Sequence, residues 1–395
     1  MSGQDRGRPD VTRLVGARPT GDVRLVSLAL FNFITDHVTT PDPARGEISG
    51  SAGILFAVSG GADSLAMVVA GADVAARAGI PFAVGIVDHQ MRPGSDQEAQ
   101  AVKARLETLG ISGVQVLTPH HPQRDGGPED FARDLRHGAL EDLALRLAGE
   151  RGLDSVTILY GHTLDDQAET VLMRLGRGAS IRALAAMRPH SKTPRKDGSG
   201  VTLYRGRPLL QLRRENTEGF CAQLGLEWEE DPTNEQWGPW RTKGGAQLPR
   251  AALRHEVLPA LGAALRQDPA PALARVAALA AEDEDALAGY ATHAFEECVE
   301  VGEGREEVKV DVQALATHPK AVRSRVLGLA WTHLAGQDQS AATELSRSHV
   351  EALDALAIAP VTSGTHPVGK TLMLPGKSVA RRGRGHLTMS AGGHS

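Results

Sequence analysis

The chain has almost no cysteine: Cys221 and Cys298 are the only two, and they stand in no CxxC or Cys/His spacing. That excludes an encoded disulfide framework and a structural zinc site, and it suits a reducing compartment. Long apolar runs are missing too. The longest near the start, residues 26–33, is too short to span a bilayer and leads into Asn-Phe-Ile-Thr-Asp rather than a small-residue cleavage site. No membrane partner is expected, and a cytoplasmic location is. Aromatic residues are scarce at 4%, and no internal repeat is visible. There is also no excess of positive charge: the net charge is −5, which argues against indiscriminate binding of nucleic acid.

What is present is a globular composition, with 41% hydrophobic and 23% charged residues. At 395 residues the chain exceeds the ~100–200 of a typical domain, so a catalytic unit with an appendage is the simplest division. Charge is unevenly spread. Residues 174–214 hold eleven Lys/Arg against the single acid Asp197, and residues 355–395 hold five Lys/Arg and no acid, whereas 282–307 is rich in Glu and Asp. Two basic patches flank an acidic stretch, and where charge clusters matters more to a nucleic-acid surface than the net value.

Residues 1–20 are rich in Arg, Gly and Pro without periodicity, so a disordered lead is expected. Apolar runs then alternate with helical spacing. The strands are expected at 54–58, 81–88, 114–117 and 155–160, followed by helices at 64–78, 95–109, 129–148 and 165–175. This predicts an α/β fold, a Rossmann-like parallel sheet covered on both faces, with ligands beyond the carboxyl ends of its strands. Residues 189–200 and 238–249 read as exposed loops. The expected division is a catalytic domain over 21–250, a helical linker over 251–300 and a small α+β domain over 301–395.

The first strand ends in Ser-Gly-Gly-Ala-Asp-Ser at 59–64. A phosphate chain needs inward-pointing amides, and Gly60 and Gly61 allow positive φ and close approach. The following helix adds its dipole and free amides, while Ser59 and Ser64 offer hydroxyls. Asp63 does not favour a bare anion, so it acts through Mg²⁺ or holds the loop. A rival string, Gly364-Thr-His-Pro-Val-Gly-Lys-Thr371, fits the formula GxxxxGK[ST] but is expected to continue as a strand stopped by Pro375, not as a helix.

The fourth strand leads into Gly-His-Thr-Leu-Asp-Asp-Gln-Ala-Glu-Thr at 161–170. Helix capping accounts for one of its acids better than for three. Asp166 and Glu169 share a helix face and can hold an ammonium group or Mg²⁺.

The string at 59–64 resembles the pyrophosphate-binding loop (PP-loop) of the N-type ATP pyrophosphatases, which implies cleavage of ATP between its α and β phosphates. With Val-Asp-His-Gln-Met-Arg at 87–92, the 161–170 string, Arg-Pro-Leu-Leu at 207–210, Glu-Asp-Pro-Thr-Asn at 230–234 and Arg-His-Glu-Val-Leu-Pro at 254–259, the order resembles the tRNA(Ile)-lysidine synthetases. The resemblance spans about residues 50–262. It implies a ligase that uses ATP to adenylate the first anticodon-position cytidine of tRNA(Ile) with a CAU anticodon, then joins L-lysine to it. It further implies that Ser59, Gly60, Gly61, Ala62, Asp63 and Ser64 bind ATP, with Asp63 toward Mg²⁺, and that His162, Asp166 and Glu169 serve adenylation and lysine binding. Arg133 lies in a segment similar to the family's Ala-Arg-x-x-Arg-Tyr, with His137 in place of the Tyr, and would neutralise charge at the α-phosphate or the lysine carboxylate. Arg174, Arg177, Arg207 and Arg254 are the expected tRNA contacts. Residues 237–245 are inserted relative to the family pattern, and weak similarity at 364–387 to the family's tRNA-recognition appendage continues the likeness.

A tRNA thiolase with the same ATP loop is the nearest rival, although two unpaired cysteines suit it poorly. A GMP- or NAD-synthesising amidotransferase would need a glutaminase unit for which no chain remains. A non-catalytic nucleotide- or tRNA-binding module would not need acids at 165, 166 and 169. The sequence leaves the oligomeric state open, a homodimer among the arrangements it admits.

Overall fold

A computed structural model describes residues 11–39, 51–88, 90, 94–119, 128–178, 180–193, 198–229, 247–302, 307–335, 345–360 and 367–391, the side chains of 128–134 excepted. The chain divides into two compact units, residues 1–279 and 280–395.

The first unit opens with two helices, α1 (Val11–Val15) and α2 (Gly21–Ile34). Then strand and helix alternate: β1 (Ala52–Val58), α3 (Ala62–Ala78), β2 (Phe82–Val87), α4 (Ser95–Thr108), β3 (Val114–Leu117), α5 (Pro128–Arg151), β4 (Ser155–Tyr160) and α6 (Leu164–Leu175). A short helix α7 (Ile181–Leu184) leads to β5 (His190–Lys192), β6 (Thr202–Gly206) and α8 (Arg214–Gln223). The sheet order is β3-β2-β1-β4-β6-β5, parallel except for β5, which runs antiparallel to β6 at one edge. Burial on both faces explains the apolar character of β1. Ile54 and Phe56 join a core with Leu30, Leu65, Met67 and Phe220 from α2, α3 and α8, whereas Leu55 turns to the other side with Leu140, Leu143 and Ile158. Strand order reverses around β1 and β4, so the two strands carrying the signature loops are direct neighbours. That is where an open α/β sheet forms a crevice.

Three sequence expectations change. Residues 11–15 are helical, and Val11 and Val15 are buried in the core, so only residues 1–10 of the expected disordered lead lie outside the described residues. Within the expected loop 189–200, residues 190–192 form strand β5, which takes its hydrogen bonds from β6. The expected linker 251–300 contains the division between the units. Its first elements, α9 (Pro249–Ala252), a π-helical turn (Leu253–Val257) and α10 (Leu258–Leu265), belong to the first unit, and the division falls within α11 (Ala270–Cys298).

The second unit is an antiparallel sheet with helices. It comprises β7 (Val299–Val301), β8 (Glu307–Asp311), α12 (Val312–Thr317), α13 (Lys320–Ala335), α14 (Arg347–Ile358), β9 (Thr371–Met373), β10 (Val379–Arg382) and β11 (His386–Ser390), with sheet order β7-β8-β11-β10-β9. Trp331, Leu353, Leu387 and Met389 are among its core residues. The GxxxxGK[ST] string runs into strand β9 and has no helix after its Lys370-Thr371, as expected of a chance match; its first three residues lie outside the described residues. Among the described residues, no helix is long and apolar enough to cross a membrane.

Candidate active site

The loop after β1 requires glycine at one position only. Gly60 has φ +94, and a Cβ there would stand 2.8 Å from Val102 Cγ2. Gly61 has φ −71 and ψ 162, conformations open to any residue, and a Cβ there would meet its nearest neighbour, the Glu229 carbonyl oxygen, at 3.8 Å. The expected positive φ therefore holds for Gly60 alone. What glycine provides at 61 is an uncovered backbone beside the helix end. Helix α3 starts at Ala62, two residues earlier than its apolar spacing suggests, so its unpaired first amides fall inside the loop. The Ser64 hydroxyl donates to the Gly61 carbonyl at 3.0 Å and accepts from the Ser59 amide at 3.1 Å, tying the loop to itself. Below it the buried Cys221 thiol donates to the Ala62 carbonyl at 3.7 Å, and burial pushes that thiol up to about 12.

The loop after β4 touches this one backbone to backbone. A Cβ on Gly161 would lie 3.0 Å from the Asp63 carbonyl and from Ser64 Cα, so a side chain at 161 would force the loops apart. Thr163 then caps α6: its amide and hydroxyl both donate to Asp166 Oδ2, at 2.8 and 3.0 Å. Asp166 Oδ1 remains directed at the site.

Arginines join the carboxylates. Arg214 Nε donates to Asp63 Oδ2 at 3.1 Å, and its Nη2 donates to Asp166 Oδ1 at 3.1 Å, so one guanidinium bridges the two signature motifs. The Thr217 hydroxyl donates to the other Asp63 oxygen. Glu169 is fully buried; Arg254 Nε donates to its Oε1 at 2.7 Å, and Arg250 Nη1 lies 3.8 Å from its Oε2. Asp165 serves differently: it accepts from Arg213 Nε at 3.0 Å and from the Arg214 amide at 2.8 Å, and so fixes the start of α8. That anchor is what aims Arg214.

Identical carboxyl groups differ here by surroundings. Burial pushes Asp63 above the ordinary range and the nearby Asp166 charge adds to this, with Arg214 opposing. Burial acts on Asp166 as well, but Arg214, His162, the Thr163 amide and Arg254 together outweigh it and hold this carboxyl below the ordinary range. Arg214 is raised despite its own burial by Asp166 and Asp63, so it stays charged.

Not every expected site residue gathers here. His162 does belong here, since its charge helps hold Asp166 low, and its ring centroid lies 5.9 Å from that of Tyr160, whose hydroxyl is hydrogen-bonded to His137 Nδ1 at 2.9 Å. The Arg133 side chain, residues 230–234, the insertion 237–245, His89 and Arg92 lie outside the described residues. Arg174 donates to the Ala183 and Ala186 carbonyls at 2.5 and 3.1 Å, tying α6 to α7. Arg207 is buried, donating to the Arg188 carbonyl at 2.8 Å and lying 5.9 Å above the Tyr160 ring. Arg254 stands among the carboxylates, whereas Arg177 is exposed. Sequence reasoning missed Arg214, Thr217 and Arg250. The one available signal was the Arg213-Arg214 pair shortly after residues 207–210, which was counted into a basic surface.

Beside the cluster opens a cleft of about 550 Å³. Glu169, Glu218 and Asp268 line it together with Arg213, Arg214 and Arg254, and Leu258, Pro259 and Ala270 supply an apolar wall. Paired charges of both signs along an aliphatic surface match a zwitterion with a hydrocarbon stem.

A family model described as a PP-loop domain matches residues 35–261. Among curated relatives, the tRNA(Ile)-lysidine synthase of Salinispora arenicola is 39% identical over 336 residues, covering 85% of this chain and 90% of that protein. The enzymes of the same name from Leifsonia xyli and Streptomyces coelicolor are 37% and 38% identical, covering 86% and 89% of this chain and 91% and 89% of theirs. A likeness of that level, running through most of both chains, agrees with the loops and carboxylates described above, and the chain belongs to the PP-loop family of tRNA(Ile)-lysidine synthases.

Proposed function

We propose that this chain uses ATP to adenylate the C2 oxygen of the first anticodon-position cytidine in CAU-anticodon tRNA(Ile), then replaces AMP with the ε-amine of L-lysine to form lysidine. One observation carries the reading: Asp63 from the phosphate loop meets Asp166 and Glu169 from the neighbouring strand's loop and helix, around shared arginines and beside a cleft.

The C2 oxygen of cytosine is a poor leaving group. It attacks the α-phosphorus of ATP, the bond to pyrophosphate breaks, and the base carries an AMP ester. The lysine amine then attacks C2, AMP departs with the former C2 oxygen, and the new nitrogen loses a proton. In this reading residues 59–64 hold the triphosphate, and the bare backbone at Gly61 lets it approach. His162 and Asp166 serve adenylation, Glu169 takes the lysine ammonium, and the cleft takes the rest of the amino acid. Arg133 remains assigned to charge at the α-phosphate or the lysine carboxylate.

Asp63, whose oxygens are engaged by Arg214 and Thr217, is the carboxylate that would face Mg²⁺ brought in with the triphosphate. An ion there would be held by one or two carboxylates and completed by phosphate oxygens. When bound it would neutralise charge on the phosphates. For the tRNA backbone, Arg177 at the exposed end of α6 is the favoured contact, within the basic run of 174–214. Arg174 and Arg207 shape the surface around it, and Arg254 acts at the carboxylates.

Sulfur transfer is the less favoured chemistry. Cys298 is buried in the second unit, and the buried Cys221 thiol, pushed up to about 12, is not a thiolate near neutrality. The deciding measurement is release of pyrophosphate and AMP from ATP with CAU-anticodon tRNA(Ile), with and without lysine, followed by mass analysis of the anticodon nucleoside. A gain of one lysyl mass is expected; without it the lysidine reading falls.

A further inference from the structure

We infer that Arg254 occupies the lysine ε-ammonium position in the substrate-free protein, so that lysine binds by exchanging its ammonium for this guanidinium at Glu169. The inference rests on the lysine role proposed for Glu169 and goes beyond it by naming an internal competitor.

Glu169 has no exposed surface, and its Oε1 is already taken by Arg254 Nε at 2.7 Å. Its Oε2 has no hydrogen bond among the described residues, with Arg250 Nη1 at 3.8 Å. Around the cluster Asp63, Asp166 and Glu169 are met by Arg214, Arg250 and Arg254. Adding an ammonium beside Glu169 would set a further cation against a buried carboxylate that is already matched. Two cations on one buried carboxylate oxygen repel each other, so an ammonium that takes Oε1 displaces the guanidinium already on it.

Position selects which one. Arg214 is held by two carboxylates at 3.1 Å each and bridges the motifs. Arg250 does not line the cleft, whereas Arg254 and Glu169 both do, so a ligand entering there meets Arg254 first. Among the described residues, the other charged contact of Arg254 is a loose one, 3.7 Å from Asp166 Oδ1. Its side chain is 23% exposed, and it rises from the π-helical turn between α9 and α10. A long side chain so placed can swing away from Glu169 into the cleft. The cost of opening Arg254 then appears as weakened lysine affinity, since apparent affinity is reduced by the fraction of molecules in the binding-competent state.

The test is direct binding of L-lysine to the full chain by isothermal titration calorimetry, independent of turnover, for wild type, Arg254→Gln and Arg254→Lys. If the guanidinium is the competitor, Arg254→Gln binds lysine roughly tenfold more tightly. Arg254→Lys, which keeps a cation at the site, restores affinity toward wild type. Equal or weaker binding by Arg254→Gln overturns the inference, because Arg254 would then be a spectator or a fixed carboxylate ligand. Formation of adenylated tRNA by wild type in the absence of lysine separates the two ideas. If the adenylate forms but Arg254→Gln gains nothing, the competitor fails and the reaction stands. If neither adenylation nor lysine binding is detected in wild type, both fail.

Discussion

Asp63 and Asp166 show how far surroundings divide two copies of one side chain. Asp166 is kept anionic by Arg214 and a capped helix end, whereas burial and its acidic neighbour raise Asp63. Different substitutions should therefore fail at different steps. Asp63→Asn is expected to slow formation of adenylated tRNA by about 100-fold or more. Glu169→Gln should leave the adenylate forming and raise KM for lysine roughly tenfold or more. Quenched single-turnover assays of the intermediate check this, and equal loss of adenylate in both variants refutes the division. All three acids were legible in the sequence because each belongs to a short local string. Arg214, Thr217 and Arg250 were not, because they reach the acids from α8 and α9, and sequence distance hides such contacts. Asp165 lines the same cleft and also anchors Arg213 and Arg214, a tertiary use that the local string does not show.

Among the elements, β1 to β4 and the helices after them were readable because buried parallel strands are continuous apolar runs. Strand β5 was not: His-Ser-Lys has no apolar alternation, and the edge is formed by hydrogen bonds to β6 and by rings. His190 stacks on Tyr204 and on His37 with centroids 4.7 Å apart in each case, and burial together with His37 lowers the His190 pKa to about 4. An unfolded histidine titrates near 6.5, so between these values the unfolded chain takes up a proton that the folded chain refuses. The contribution of this stack is full above about pH 6.5 and is lost as pH falls toward 4. Denaturation midpoints should drop from pH 7 to pH 5, and His190→Phe should flatten part of that slope. An unchanged slope in the variant would assign it to other groups. Helix α1 escaped for a different reason: five residues with Val11 and Val15 at its ends are too few to show a period.

At the scale of the molecule, two units carry separate cores, and the second contains a buried ion pair whose partners lie far apart in sequence. Arg323 Nε and Nη2 donate to the two oxygens of Asp354 at 2.7 and 3.0 Å, with side-chain exposures of 13% and 5%. Asp354→Ala would leave the guanidinium with the His318 carbonyl as its remaining partner among the described residues, which costs about 1–3 kcal/mol. Chemical denaturation should show the second unit's transition at lower denaturant while the first unit still binds ATP. Simultaneous loss of both would show that the units unfold as one. The sequence signalled this division only by composition, because the acidic stretch and the short strands after it hold no motif as local as those of the first unit.

The cap on α6 has a consequence for how such a protein can change over generations. One oxygen of Asp166 closes the helix through Thr163 while the other faces Arg214. Substitution at this position therefore loosens the helix start and frees Arg214 at once. Under the proposed role of Asp166, a stable chain that keeps this cap also keeps a carboxylate of the reaction, so fold and chemistry are inherited through one residue.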